Sequence, residues 1–218
     1  MLQHVFERAA QSRYLTSLVV ATDDDRIARE ARRFGARVRM TRSDHPSGTD
    51  RVAEAASAEN AGFIVNIQGD EPLIDPSAID AAVLVLLHAD GPAPMSTLKK
   101  RIEHLDEITN PNVVKVVTGL DGHAICFSRC PIPYDRAGGA VYYKHIGLYV
   151  YRRDFLLGYS SLPVGPLEKV ECLEQMRALE NGFPIRVVET EYESLGVDTP
   201  EDLERVAELF PMQERVLD

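Results

Sequence analysis

Apolar positions along this chain fall into two alternating rhythms. Leu2, Val5, Phe6 and Ala9 recur at the spacing of one helix face, and Leu18-Val19-Val20-Ala21 follows as a short unbroken apolar run of the kind that makes a buried strand. Asp23 to Asp25 then offer N-cap and first-turn carboxylates. Ile27, Ala28, Ala31 and Phe34 form a stripe, and Gly35 stands where a left-handed C-cap is wanted, which predicts a second helix. Residues 38–41 read as a strand, 48–60 as a loop entering a helix, and 63–67 as another buried strand. Pro76 opens a strongly apolar helix over 79–87, and 95–100 reads as the next strand. Strands alternating with helices predict a parallel α/β sheet.

Past residue 100 the rhythm changes. Residues 113–118 and 124–128 flank Gly119-Leu120-Asp121-Gly122 as a hairpin, and a Pro- and Gly-rich stretch follows. Residues 142–151 then have strand character, 167–180 form a helix ended by Asn181-Gly182, and 185–188 form a strand. Asp198-Thr199-Pro200-Glu201 caps a last helix. The expected organisation is one domain over residues 1–218 with an excursion at 110–165.

Composition narrows the classes. At 218 residues, 44% hydrophobic and 27% charged, the chain reads as an ordinary globular protein. No apolar run approaches the roughly 20 residues of a membrane span. Met1-Leu2-Gln3-His4 leads straight into the amphipathic pattern without a basic, apolar leader, so a cytoplasmic location and no membrane partner are expected. A net charge of −10 argues against a nucleic-acid partner, which wants a basic face. An anionic small substrate would need local cations or metal ions. Cys126, Cys130 and Cys172 are odd in number and lack paired spacing, so neither a disulfide framework nor a zinc site is suggested, and buried thiols are expected.

Three segments carry candidate chemistry. Asn66-Ile67-Gln68-Gly69-Asp70-Glu71-Pro72 lies at the carboxyl end of a predicted buried strand, where open α/β sheets place their ligand crevice. Asp70 there is well sited to hold Mg²⁺, and its other reading is a turn former. Gly196-Val197-Asp198-Thr199-Pro200-Glu201-Asp202 supplies a second carboxylate in Asp198, whose other reading is an N-cap. Two oxygen ligands converging in one crevice suit Mg²⁺ and imply phosphate-transfer chemistry. The polar, turn-prone run from Thr41 to Arg51 offers Ser47, Gly48 and Thr49 to a base edge, or is a solvated loop ending in a Thr49 or Asp50 cap.

These three segments, in this order, resemble those of the 3-deoxy-manno-octulosonate (Kdo) cytidylyltransferases, and the likeness covers nearly the whole chain. Further marks are Asn110 to Val117, Phe127-Ser128-Arg129, Ile132-Pro133-Tyr134-Asp135-Arg136, Lys144-His145-Ile146-Gly147-Leu148-Tyr149 and Pro166 to Gln175. The resemblance implies an α/β fold: a Rossmann-like nucleotidyltransferase sheet with a small additional β region that supports the sugar site and a homodimer. It implies that CTP and Kdo are the substrates, that Mg²⁺ is the cofactor, and that the products are CMP-Kdo and pyrophosphate, for lipopolysaccharide synthesis. Mapped residue by residue, it assigns Arg42, Ser47, Gly48 and Asp70 to the nucleotide and Asp70 and Asp198 to the metal. Gln68 lies between nucleotide and sugar and joins the two aspartates in the catalytic set. Arg129, Arg136, His145, Tyr149, Glu168 and Glu171 go to the sugar.

That mixture suits Kdo, because an arginine can clamp a carboxylate and acidic or phenolic groups can bind hydroxyls. Read without the resemblance, His145 is equally a satisfied half-buried imidazole, Tyr149 a core aromatic, and Glu168 and Glu171 first-turn helix charges. The alternatives to Kdo activation are a cytidylyltransferase for another acidic sugar, a sialic acid or amino-Kdo, and a non-catalytic remnant that binds nucleotide or dimerises.

Family members begin with a strand feeding a loop that reads approximately Pro-Ala-Arg-x-x-Ser-x-Arg-Leu-x-x-Lys and holds the triphosphate. Here the opening helix starts at Leu2, so the resemblance implies that the N-terminal strand and its loop are missing. A start assigned at an internal methionine is the favoured explanation, over a truncated gene product. Without the loop's cations the chain is expected to be weak or inactive, since phosphoryl transfer rests on positioning and charge stabilisation.

Overall fold

Local signals decide where the elements begin and end. The computed structural model describes residues 1–88 and 93–214. Its first half runs α1 (Leu2–Ala9), β1 (Val19–Thr22), α2 (Asp25–Arg33), β2 (Arg37–Met40), α3 (Gly48–Ser57), β3 (Phe63–Asn66), α4 (Pro76–Leu87) and β4 (Met95–Arg101). Asp24 caps α2 by accepting from the backbone N–H groups of Arg26 and Ile27, and Gly35 beyond its end has φ +83°. Asp75 caps α4, with Pro76 supplying a first-turn residue that needs no donor. Helix α3 starts earlier than a Thr49 or Asp50 cap would allow: its N-cap is Ser47, whose side chain accepts from the Asp50 N–H.

The second half runs α5 (Leu105–Thr109), β5 (Lys115–Thr118), β6 (Ala124–Ser128), β7 (Tyr143–Arg152), α6 (Arg153–Tyr159), α7 (Pro166–Glu171), α8 (Met176–Glu180), β8 (Ile185–Glu189) and α9 (Pro200–Glu214). The continuous helix expected over 167–180 is broken. Cys172 adopts the left-handed conformation at φ 53° and ends α7, and the chain resumes helix only at Met176. Cys130 and Cys172 are exposed and Cys126 half-buried, which corrects the expectation of buried thiols: Cys172 occupies an exposed helix end, and Cys130 lies beyond the end of β6.

β1 and β2 pair in parallel as a two-stranded sheet, and the other strands form a six-stranded sheet in the order β6-β5-β7-β4-β8 with β3 also against β7. The sheet is mixed rather than parallel. β7 runs antiparallel to β3, β4 and β5, while β4 and β8 are parallel. The reason is the β5–β6 hairpin, which reverses the chain so that β7 pairs with both β3 and β4 in the opposite direction.

Period-two alternation gives β7 two working faces. Ile146, Leu148 and Val150 pack with Val5, Ala9, Ile79, Val83 and Leu86 of α1 and α4 on one side of the sheet. On the other, Tyr151 packs with Ala53, Ala56, Leu156, Tyr159 and Met176 from α3, α6 and α8. Among the described residues no helix is long and apolar enough to cross a membrane.

Candidate active site

The second face of β7 carries a row of rings. His145 meets Phe127 edge-on at 5.0 Å and Tyr149 at 5.4 Å, and Tyr149 stacks on Tyr151 at 5.9 Å. Tyr151 in turn meets Tyr159 at 6.2 Å. Thr97 Oγ1 of β4 lies 3.0 Å from the Ile146 carbonyl, 2.8 Å from that of Leu148 and 2.9 Å from His145 Nε2. A hydroxyl has one proton and carbonyls only accept, so Thr97 donates to the backbone and accepts from a protonated Nε2. That bond fixes a proton on Nε2, and desolvation of the buried ring, which disfavours the imidazolium, pushes its pKa down to about 3. His145 is thus a satisfied imidazole, as the residues alone allowed, and its edge remains partly accessible. Burial also pushes the Tyr149 phenol well above its ordinary value.

Two carboxylates assigned to the sugar are spent on protein donors. Glu168 takes a bidentate grip from Arg177, with Nε at 2.8 Å and Nη2 at 2.5 Å, and both residues are buried. The guanidinium of Arg177 also lies over the Tyr159 ring at 5.1 Å. Glu171 accepts from Ser128 Oγ at 2.6 Å and from the Arg129 N–H at 2.9 Å, and these bonds hold its carboxyl below the usual range despite some desolvation. Arg129 Nε donates to the Glu171 carbonyl and Nη1 to that of Pro111. Each carboxylate oxygen keeps a further acceptor site, so these bonds leave room for a sugar hydroxyl while they set the positions of Arg177, Ser128 and Arg129. Arg136 lies exposed in the loop after β6, and its side chain makes no hydrogen bond or ion pair among the described residues. The structure does not bring it to the others.

The start of α3 is tied to this face. Thr49 Oγ1 donates to Glu174 Oε2 at 2.7 Å, and Tyr159 donates to the Glu174 carbonyl. Ser47 and Gly48, the N-cap and first residue of α3, therefore sit two residues and one residue from a bond that reaches the α7–α8 connection. Arg42 is exposed, its backbone N–H donating to Glu54, whose carboxylate also holds His45 in a close contact. Glu174 was absent from the expected set. Its partner lies 125 positions away, and no local pattern in the sequence announces the pair.

β3 carries the second group of residues to the same strand, since Asn66 at its end pairs with Tyr149. Four residues on is Asp70, whose Oδ1 is buried without a hydrogen-bond partner among the described residues. The Val197 N–H donates to the Asp70 carbonyl at 3.0 Å, which ties the backbone just before Asp198 to Asp70. Asp198 is not the cap of α9. Thr199 Oγ1 accepts from the Asp202 N–H and Asp202 accepts from Thr199, a reciprocal capping pair that leaves the Asp198 carboxylate exposed and without a hydrogen bond among the described residues. Gln68 is exposed in the same turn.

Next to Asp70, the buried Glu71 carboxylate accepts from Tyr192 Oη at 2.9 Å; burial, partly offset by that bond, raises its pKa. Sequence reasoning missed Tyr192. Its one signal was a single ring standing in the polar run Glu189-Thr190-Glu191-Tyr192-Glu193-Ser194. An orphaned buried carboxylate oxygen, with a second carboxylate one residue beyond the backbone group bonded to it, is the chemistry of an oxygen donor set for a hard divalent cation. Among the described residues no cluster of three or more metal-ligating side chains occurs, so such an ion would fill its shell with waters and substrate oxygens.

Residues 1–209 match the family model described as cytidylyltransferase. The chain belongs to the cytidylyltransferase family. A 3-deoxy-manno-octulosonate cytidylyltransferase of Solibacter usitatus (strain Ellin6076) is 72% identical over 212 residues, covering 96% of this chain and 84% of that one. The enzyme of the same name from Geobacter sulfurreducens is 56% identical, with 95% and 88% covered. A solved structure of CMP:2-keto-3-deoxy-manno-octonic acid synthetase complexed with CTP superposes with a TM-score of 0.92 at 42% identity, covering 97% of this chain and 88% of that one. The Rossmann-like nucleotidyltransferase sheet expected from the sequence is therefore the fold of this cytidylyltransferase, with β7 placed antiparallel in its middle.

Proposed function

We propose that this cytidylyltransferase transfers CMP from CTP to Kdo, releasing pyrophosphate, and that the activated sugar serves lipopolysaccharide synthesis from the cytoplasm. The observation that supports the reading is that β3, which leads to Asp70, ends against Tyr149 of β7, and that the residue before Asp198 is bonded to the Asp70 carbonyl. The 72% identical relative bears the same activity in its name, and the 42% identical structure holds CTP.

In the reaction the anomeric hydroxyl of Kdo attacks the α-phosphorus in line and pyrophosphate leaves. Mg²⁺ held by Asp70 and Asp198 would polarise the phosphate oxygens and help acidify the hydroxyl. No side chain is needed as a general base on this reading. Ser47 and Gly48 face the base from the start of α3, with Arg42 on the loop before them. Gln68 stands between nucleotide and sugar. His145, kept neutral, and Tyr149, kept protonated, offer hydrogen bonds to sugar hydroxyls without changing charge near neutral pH, while Arg129 is the cation set to meet the sugar carboxylate. Arg136 would reach the sugar only by movement of its loop.

A homodimer is part of the same proposal. Ile125 of β6, Tyr134 in the following loop and Val170 of α7 are 67%, 87% and 81% exposed, apolar surface of the kind a second copy covers.

The test is competitive turnover with Kdo, amino-Kdo and a sialic acid, followed by pyrophosphate release from CTP. Release that depends on Kdo and is faster with Kdo than with the others is the expected result. Equal release with a sialic acid would contradict the substrate assignment. CTP binding with no sugar-dependent release would favour the non-catalytic remnant.

A further inference from the structure

Glu71 is a buried carboxylate in the turn beyond β3, 8% exposed, and its partner Tyr192 is 7% exposed. Burying a carboxylate carries a desolvation cost that an apolar residue of similar size would avoid, so packing alone does not account for the pair. Its place in the chain does. The segment from Thr190 to Asp198 leaves β8 and crosses to the end of β3. Two bonds join it to the dipeptide Asp70-Glu71: Tyr192 Oη to Glu71 Oε2 at 2.9 Å, and the Val197 N–H to the Asp70 carbonyl at 3.0 Å. The Ser194 side chain is a further hydrogen-bonding neighbour of Glu71. One bond fixes the side chain after Asp70 and the other fixes the Asp70 carbonyl. Between them they set the orientation of an aspartate whose buried Oδ1 has no hydrogen-bond partner among the described residues.

We infer that Tyr192 and Glu71 are positioning residues for a cation at Asp70 and Asp198, holding the crossing segment against the end of β3 so that the two carboxylates stay within reach of one ion. The inference rests on the metal reading given above. Neither residue touches the ion. Both act through Asp70, as outer-shell hydrogen bonds act on the ligands they orient.

The test measures Mn²⁺ binding, alone and with CTP, by electron paramagnetic resonance. Mn²⁺ shares the oxygen-ligand preference of Mg²⁺. Tyr192→Phe, which keeps the ring and its packing, is expected to weaken Mn²⁺ binding about tenfold, the lower end of what outer-shell substitutions cost. Glu71→Gln keeps a carbonyl to accept the tyrosine's hydrogen bond and should stay within about threefold of wild type. Thermal unfolding of each variant is followed in parallel. A Tyr192→Phe protein with lowered Tm and wild-type Mn²⁺ affinity would make the bond merely structural and overturn the inference. Asp70→Asn separates the two levels of argument: if it binds Mn²⁺ as wild type does, the metal reading itself fails and this inference falls with it.

Discussion

The two-stranded sheet and the six-stranded sheet are built on different terms. In β1 and β2 only Thr22 is buried, and α2 buries just Ala28 and Ala31. β4 buries its first four residues in a row, and β7 buries one face completely. Neither core cluster takes a buried residue from β1, α2 or β2. Besides the Phe6–Phe34 ring contact, polar bonds link that layer to the rest: Arg37 to Glu59, and Arg51 to Asp23 and Thr41. The contrast teaches where rigidity is placed. The strand carrying His145 and Tyr149 buries its opposite face in the core, whereas the strand and loop leading to Ser47 are held by few buried apolar side chains.

The sharpest way to break this comparison is to truncate one apolar side chain in each sheet. Leu148→Ala in β7 removes a side chain only 2% exposed and should cost about 2–5 kcal/mol in denaturant unfolding. Val20→Ala in half-buried β1 should cost less than about 1.5 kcal/mol. Equal losses would mean that both sheets share one core.

A second probe uses pH. The folded pKa of His145 is about 3 against an ordinary 6.5, so the unfolded chain takes up the proton first. Stability from keeping this ring neutral is complete above 6.5 and is lost as pH falls toward 3. Between pH 6.5 and 5 it should decline by up to about 1.4 kcal/mol per pH unit, and His145→Gln should remove that part of the slope. An unchanged slope would mean that the imidazole takes up its proton inside the fold.

The smallest effect belongs to the polar link. Arg51→Ala should lower stability by no more than about 1 kcal/mol, as partly exposed ion pairs do, and high salt should shrink the difference.

The elements of the first half were legible because each is announced locally, by a cap, a stripe or a short apolar run. Orientation was not. Alternation over 142–151 reveals a strand but not its neighbours, so β7's place between β3 and β4 could not be read. The break at Cys172 was hidden because apolar spacing continues through it. For the site, the segments holding Asp70, Asp198 and Ser47 stood out by position; the structure bonds Val197, the residue before Asp198, to the Asp70 carbonyl and gives the cap of α9 to Thr199. The roles of Glu168 and Glu171 were not legible, since their partners Arg177, Ser128 and Arg129 are chosen by tertiary packing. Tyr192 and Glu71 meet across 121 positions, a pairing no local pattern encodes.

The central claim is that Asp70 and Asp198 organise nucleotidyl transfer in this cytidylyltransferase, and the direct test is Kdo-dependent pyrophosphate release from CTP by wild type and Asp70→Asn across a Mg²⁺ titration. The account predicts release that requires Mg²⁺ and falls on the order of a hundredfold or more in the variant. Release in Asp70→Asn equal to wild type at every Mg²⁺ concentration would contradict it.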